Sequence, residues 1–193
     1  VIIVGVDPGV SGAIVQLGEG ESYSFWPMPT ERDNKSGRDR YSITRIRNLF
    51  EAIDDQADRD DERLVVFVER AAPFPHGEMG GALANFHRGV SFGLFAGILA
   101  ALRIEHELVA PQTWQREMLR DVEDKGDTKA RALAAVTKLM PRLDVSKLRS
   151  SPRGTKAHSG LVDALLLALF GRWRMLGSIR SLTEDKHVSS SHR

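Results

Sequence analysis

The chain has 193 residues, 41% of them apolar and 27% charged, with no cysteine and a formal net charge of +1. That length admits one domain with a real core but not two large ones. The missing cysteines exclude disulfides, thiolate nucleophiles and zinc–thiolate sites. The near-neutral charge excludes a uniformly basic surface, so any contact with nucleic acid has to be local. The most apolar run, residues 90–102, is too short to span a bilayer and is bracketed by Arg88 and Arg103, so no membrane partner is expected.

Residues 1–6 are apolar and β-branched and stop at Asp7-Pro8-Gly9, which predicts a buried strand followed by a turn. Ser11-Gly12 reverses the chain, residues 13–17 return as a second strand, and residues 22–26 supply a third. Residues 27–41 are polar, with Pro, Asn and Gly, and read as a loop. Ile43, Ile46, Phe50 and Ile53 follow helical spacing. Residues 64–68 form another buried strand ending at Glu69. Residues 70–81, with two prolines and three glycines, read as a long loop. A mostly apolar helix is predicted over 82–102, a short strand over 107–110, and a helix opened by Pro111 that runs to Leu119. Residues 120–127 are a charged loop, residues 128–139 a helix closed by Pro141, and residues 145–157 a basic, Ser-rich connection. A last apolar helix covers 160–176. The domain is expected over residues 1–177, with 178–193 a polar, disordered tail. A meander followed by alternating strands and helices fits an α/β fold, a mixed sheet with helices packed on it.

Three acids stand at the edges of these buried elements. Asp7 ends the first strand, Glu69 ends the strand over 64–68, and Asp163 interrupts the apolar helix. A charge beside a buried element is costly unless it is paired or bound to metal. Carboxylate oxygens are the ligands Mg²⁺ prefers. Two such ions about 3.5–4 Å apart can activate water and stabilise the leaving oxygen in phosphodiester cleavage. Each acid also has a plainer reading: a turn for Asp7, a surface pair with Arg70 for Glu69, and a response to the helix dipole for Asp163.

Gly5-Val6-Asp7-Pro8-Gly9-Val10-Ser11-Gly12, then Val66-Phe67-Val68-Glu69, then His158-Ser159-Gly160-Leu161-Val162-Asp163-Ala164-Leu165 resemble the RuvC-type Holliday junction resolvases. Pro73-Phe74-Pro75 and Pro111-Gln112-Thr113-Trp114 look closest to the branch that holds the plastid resolvase and its bacterial and phage relatives. The resemblance covers about residues 1–175. It implies an RNase H-like mixed five-stranded sheet flanked by helices. The implied activity is paired symmetric nicking of four-way DNA junctions by a homodimer carrying two Mg²⁺ ions per site, with Mn²⁺ as a substitute. Asp7, Glu69 and Asp163 match the family's metal ligands directly. The fourth position is assigned to His158, five residues before Asp163. Many members place that ligand three residues before, where this chain has Gly160, which offers no side chain. Ser159 is the neighbouring alternative, and proton transfer the alternative duty for His158. A neutral imidazole suits Mn²⁺ better than Mg²⁺, so tolerance of Mn²⁺ is expected.

Lys147, Arg149, Arg153 and Lys156 lie in an acid-free stretch that leads to these ligands. Such a stretch would hold phosphates and make binding salt-dependent; a solvated linker is its plainer reading. Arg32, Lys35, Arg38 and Arg40 are interleaved with Asp33 and Asp39 and carry less weight. Phe74, between two prolines, is expected to stack on an unpaired base, since members of the family carry an aromatic at a similar place; covering the core is its plainer reading. Trp114 reads as core or loop packing. Gly89, Gly93 and Gly97 recur every four residues on the long helix, which predicts close backbone approach to the sheet or to a partner helix. The resemblance makes this face the dimer interface.

Three other functions compete. An ATP-handling enzyme of the actin and sugar-kinase type shares the strand–Asp–Gly turn but needs a second lobe that this length cannot hold. A junction-binding module without catalysis, and a nuclease acting on another substrate such as an RNA–DNA hybrid, both keep the same fold. The expected compartment is the cytoplasm or nucleoid of a bacterium or phage-infected cell, or a plastid or other organelle after removal of a leader.

Overall fold

A computed structural model of the chain describes residues 1–20, 22–70, 81–122, 127–149 and 156–177. Phe74, Arg153 and the tail over 178–193 lie outside the described residues. The main sheet has five strands in the order β3-β2-β1-β6-β7, the RNase H-like α/β arrangement. Strands β1 (Ile2–Asp7), β2 (Ala13–Leu17) and β3 (Tyr23–Pro27) form an antiparallel meander. Strands β6 (Leu64–Glu69) and β7 (Glu105–Val109) add in parallel on the other side of β1. Parallel neighbours need a crossover, and helix α2 (Gly81–Ala101) supplies the one between β6 and β7.

The alternation of side chains along a strand decides what each face buries. Ile2, Val4 and Val6 of β1, with Val66 and Val68 of β6, pack against Ile46, Phe50 and Ile53 of α1 (Ile43–Arg59) and Phe95 and Leu99 of α2. Ile3, with Val65 and Phe67, faces the opposite way. These residues join Trp114 and Met118 of α3 (Pro111–Met118), Ala132 and Val136 of α4 (Thr128–Leu139), and the long apolar helix α5 (Ser159–Leu176). Both faces of β1 and β6 are therefore covered, which is why these strands read as unbroken apolar runs. Among the described residues no helix is long and apolar enough to cross a membrane.

The polar stretch over 27–41 is more ordered than its composition suggests. Strands β4 (Thr30–Arg32) and β5 (Asp39–Tyr41) pair as a two-stranded hairpin, closed at its tip by Asp33, whose side chain accepts from the Lys35 and Ser36 backbone N–H groups. The hairpin docks through Tyr41. Its hydroxyl donates to the Pro8 carbonyl at 2.7 Å and lies 2.5 Å from the Ser91 hydroxyl of α2.

Candidate metal centre and its surroundings

The same alternation places the acids. Asp7 and Glu69 have the odd parity of Ile3 and Phe67, so both point to the α5 face. Val6 pairs with Val68 in parallel register, which sets Asp7 and Glu69 one step further on at the same end of the sheet. Asp163 comes to meet them from α5. That approach depends on Gly5: a Cβ there would lie 2.1 Å from the Ala164 carbonyl oxygen and 2.5 Å from the Ala168 nitrogen. With no side chain in the way, the backbone of α5 rests on β1 beside Asp7, and Asp163, one residue before the contact, is carried to the strand end.

All three acids are partly buried. Burial raises the Asp7 carboxyl above its usual range, against the opposing pull of the Gly9 N–H, which donates to Oδ1 at 3.3 Å, and of the nearby His158. Burial, the charges of Asp7 and Asp163, and an opposing Trp114 N–H and Arg88 leave Glu69 at about 7. Burial and the Asp7 charge raise Asp163 to about 6, with Lys129 acting the other way. Burial raises all three carboxyl groups, and the Asp7 charge adds to it at Glu69 and Asp163, more than His158, Arg88 and Lys129 offset. Among the described residues no group of three or more His, Asp or Glu side chains is already arranged to hold a metal ion. The donor chemistry nevertheless fits a divalent cation: the ligands are all oxygen, they carry surplus negative charge, and they meet at one sheet end.

His158 caps α5, with Nδ1 accepting the Leu161 N–H at 3.2 Å. That acceptor leaves the ring's proton on Nε2 when the imidazole is neutral. With Nδ1 so engaged, Nε2 of the neutral ring carries an N–H rather than a lone pair. Gly160 packs so closely that a Cβ would lie 2.6 Å from Gly12 Cα and 2.7 Å from the Ser11 carbonyl oxygen. The helix start is thus wedged onto the β1–β2 turn, with no room for a side chain three residues before Asp163.

The structure brings Asp7, Glu69, Asp163 and His158 into one neighbourhood. The basic stretch is more divided. A short 3₁₀ turn (Val145–Leu148) is followed by a bridge between Arg149 and Ala157, and His158 N–H donates to the Leu148 carbonyl at 2.7 Å. Exposed Arg149 and Lys156, the described residues on either side, therefore come together beside His158. Lys147 turns elsewhere, with Nζ 5.1 Å from the centre of the Tyr23 ring. Tyr23 pairs with Leu17, and Leu17 with Ile3, towards the sheet end away from Asp7.

Gly89, Gly93 and Gly97 are all exposed, and a Cβ at any of them would meet nothing within 4 Å. The glycine face is not turned to the sheet of its own chain. Gly93 and Gly97 line an apolar groove with Ile43, Leu94, Ile98 and Leu102. Exposed Phe86 and Val90 lie on the same helix, N-terminal to the groove.

Three participants escaped the sequence reading. Lys129 and Arg88 act on the acids from α4 and α2. For Lys129 a signal existed: a cation in the first turn of a helix opposes the macrodipole. Arg88 carried none. Trp114 is core, as expected, but its indole Nε1–H also donates to Glu69 Oε2 at 2.9 Å.

No protein-family model matches the chain, and no curated protein does. Solved structures do match. Thermus thermophilus RuvC in complex with Holliday junction substrate is similar at 15% identity and a TM-score of 0.52, over 92% of this chain and 97% of that one. The yeast mitochondrial Holliday junction resolvase Ydc2 is similar at 14% identity and a TM-score of 0.52, over 92% of this chain and 79% of that one. The fold is that of the junction-resolving nucleases.

Proposed function

We propose that this chain is a divalent-metal-dependent endonuclease that resolves four-way DNA junctions by paired nicks, working as a homodimer. The observation that carries the reading is the meeting of Asp7, Glu69 and Asp163 at one sheet end, where burial and the Asp7 charge raise Glu69 and Asp163 despite the nearby Arg88 and Lys129. Asp7, Glu69 and Asp163 would hold two Mg²⁺ ions, or Mn²⁺ in their place. Bound there, the ions would supply an activated water and stabilise the leaving oxygen of a phosphodiester.

The chain's own groups do the rest. His158, with Nδ1 accepting from Leu161, serves as the fourth ligand through Nε2 only if the proton of the neutral ring moves to Nδ1, which breaks that cap. Arg149, Arg153 and Lys156, with Lys129 at the start of α4, bind phosphates of the strand led to the acids, and Lys147 meets phosphates further out. Phe74 stacks on a base at the junction centre. The open glycine face of α2 takes the same face of a second copy, which sets two sites for two opposed strands.

The test is incubation with a labelled immobile four-way junction, and separately with linear duplex and an RNA–DNA hybrid, in Mg²⁺ and in Mn²⁺, with Asp7→Asn as control. Paired symmetric nicks in the junction alone, lost in Asp7→Asn, are expected. Tight junction binding without nicking in either metal would replace the enzyme with a binding module. Cleavage of duplex or hybrid without junction preference would keep the metal centre and discard the resolvase.

A further inference from the structure

We infer that Trp114 is a positioning residue for the metal centre, acting through Glu69. The inference rests on the proposed metal-dependent activity. Glu69 is the last residue of β6, and its neighbour across the ladder is Val109, the last residue of β7. Pro111 then opens α3, and Trp114 on its first turn places the indole under the end of β6. The ring is 1% exposed, and its single polar atom goes to Glu69 Oε2 at 2.9 Å.

The chemistry of the donor matters. A tryptophan N–H can only donate and carries no charge. It holds one carboxylate oxygen in place without neutralising the group, as a lysine or arginine would. Oε2 of Glu69 is thereby fixed by a neutral donor, and Oε1 is left as the oxygen for a cation. Outer partners of this kind orient metal ligands, and their loss typically costs about 10–100-fold in metal affinity or activity.

The experiment is Trp114→Phe in the full chain, which keeps most of the ring and removes the N–H. Mg²⁺ and Mn²⁺ affinities are measured calorimetrically without DNA, and junction binding is measured in EDTA. A loss of about 10–100-fold in cation affinity, with junction binding within about twofold, is expected. Met118→Ala, which opens the same core without reaching Glu69, is expected to leave cation affinity unchanged. In the unmutated chain the Trp114 indole N–H proton resonance should move on Mg²⁺ addition with the calorimetric midpoint, a readout that survives even if Trp114→Phe folds poorly.

Unchanged cation affinity in Trp114→Phe, an equal loss in Met118→Ala, or an indole resonance blind to Mg²⁺ would overturn the assignment. If the unmutated chain binds Mg²⁺ but nicks no junction, the resolvase reading falls while the Trp114 assignment stands on its own results. Normal nicking with full cation affinity in Trp114→Phe sinks the assignment alone.

Discussion

The Tyr41 hydroxyl donates to the Pro8 carbonyl, one residue beyond Asp7, and so ties the β4–β5 hairpin to the acid-bearing turn. Its own proton goes to Pro8, and the Ser91 proton is shared between the Tyr41 oxygen and the His87 carbonyl. Tyr41→Phe should leave the buried Pro8 carbonyl without a donor and cost about 1–3 kcal/mol in urea unfolding. Ser91→Ala, which leaves the Tyr41–Pro8 bond intact, should cost less.

The cation-free protein should be more stable in mild acid than in mild base. Glu69 and Asp163 are raised to about 7 and about 6, above the usual carboxylate range that applies when the chain is unfolded. The folded state therefore holds protons that the unfolded state has released, and stability from this source is complete below about pH 4 and is lost as pH rises through 6–7. Asp7 raises both neighbours, so Asp7→Asn should gain about 1 kcal/mol at pH 8 and flatten the dependence. Melting curves in EDTA across pH 5–8 check this, and a steeper fall in Asp7→Asn would refute it. Mg²⁺ should stabilise the unmutated chain more than the variant.

Gly160→Asp would put a carboxylate at the spacing many resolvases use, three residues before Asp163. It should fail to supply a ligand. Its Cβ would drive into the Gly12 backbone, and rigid overpacking of this kind costs about 1–3 kcal/mol or more. Denaturant midpoints report the cost, and a stable, active Gly160→Asp protein would contradict the packing argument.

His158 can be separated into cap and ligand. His158→Ala should lose about 1 kcal/mol with the cap, whereas His158→Asn and His158→Asp retain a capping oxygen and should lose little. His158→Asp should also shift the metal preference from Mn²⁺ towards Mg²⁺ in junction nicking. Identical metal profiles for the two proteins would remove the imidazole from the metal's surroundings.

Gly93→Ala and Gly97→Ala add a methyl group where the chain itself has nothing within 4 Å. Each should stabilise the isolated fold by up to about 1 kcal/mol through helix propensity. The larger Gly93→Leu and Gly97→Leu should break self-association, seen as a shift to monomer in sedimentation. A dimer indifferent to both would move the interface elsewhere.

The buried strands and the acids on them were legible in the sequence because apolar runs ending in a charge leave few other readings. Asp7 and Glu69 share parity with Ile3 and Phe67, and that parity alone sends them to one face. The β4–β5 hairpin was not legible. Its strands carry Glu31, Arg32, Asp39 and Arg40, exposed on both sides, so no alternation marks them. The strand β7 was read two residues short for a similar reason, since Glu105 and His106 belong to an edge. Trp114 and Arg88 reach Glu69 across 45 and 19 positions, and contacts at that range leave no local pattern.

The contact of Gly5 with α5 has a consequence for ion size. Backbone meets backbone there, so the approach of the Asp163 backbone to the Asp7 strand is held by direct contact rather than by side chains that could repack. Oxygen sits about 2.0–2.1 Å from Mg²⁺ and about 2.3–2.6 Å from Ca²⁺. On the proposed metal-dependent reading, carboxylates carried on backbones that cannot move apart would favour the smaller ion, and the residue that lets those backbones meet is a glycine with no side chain to present.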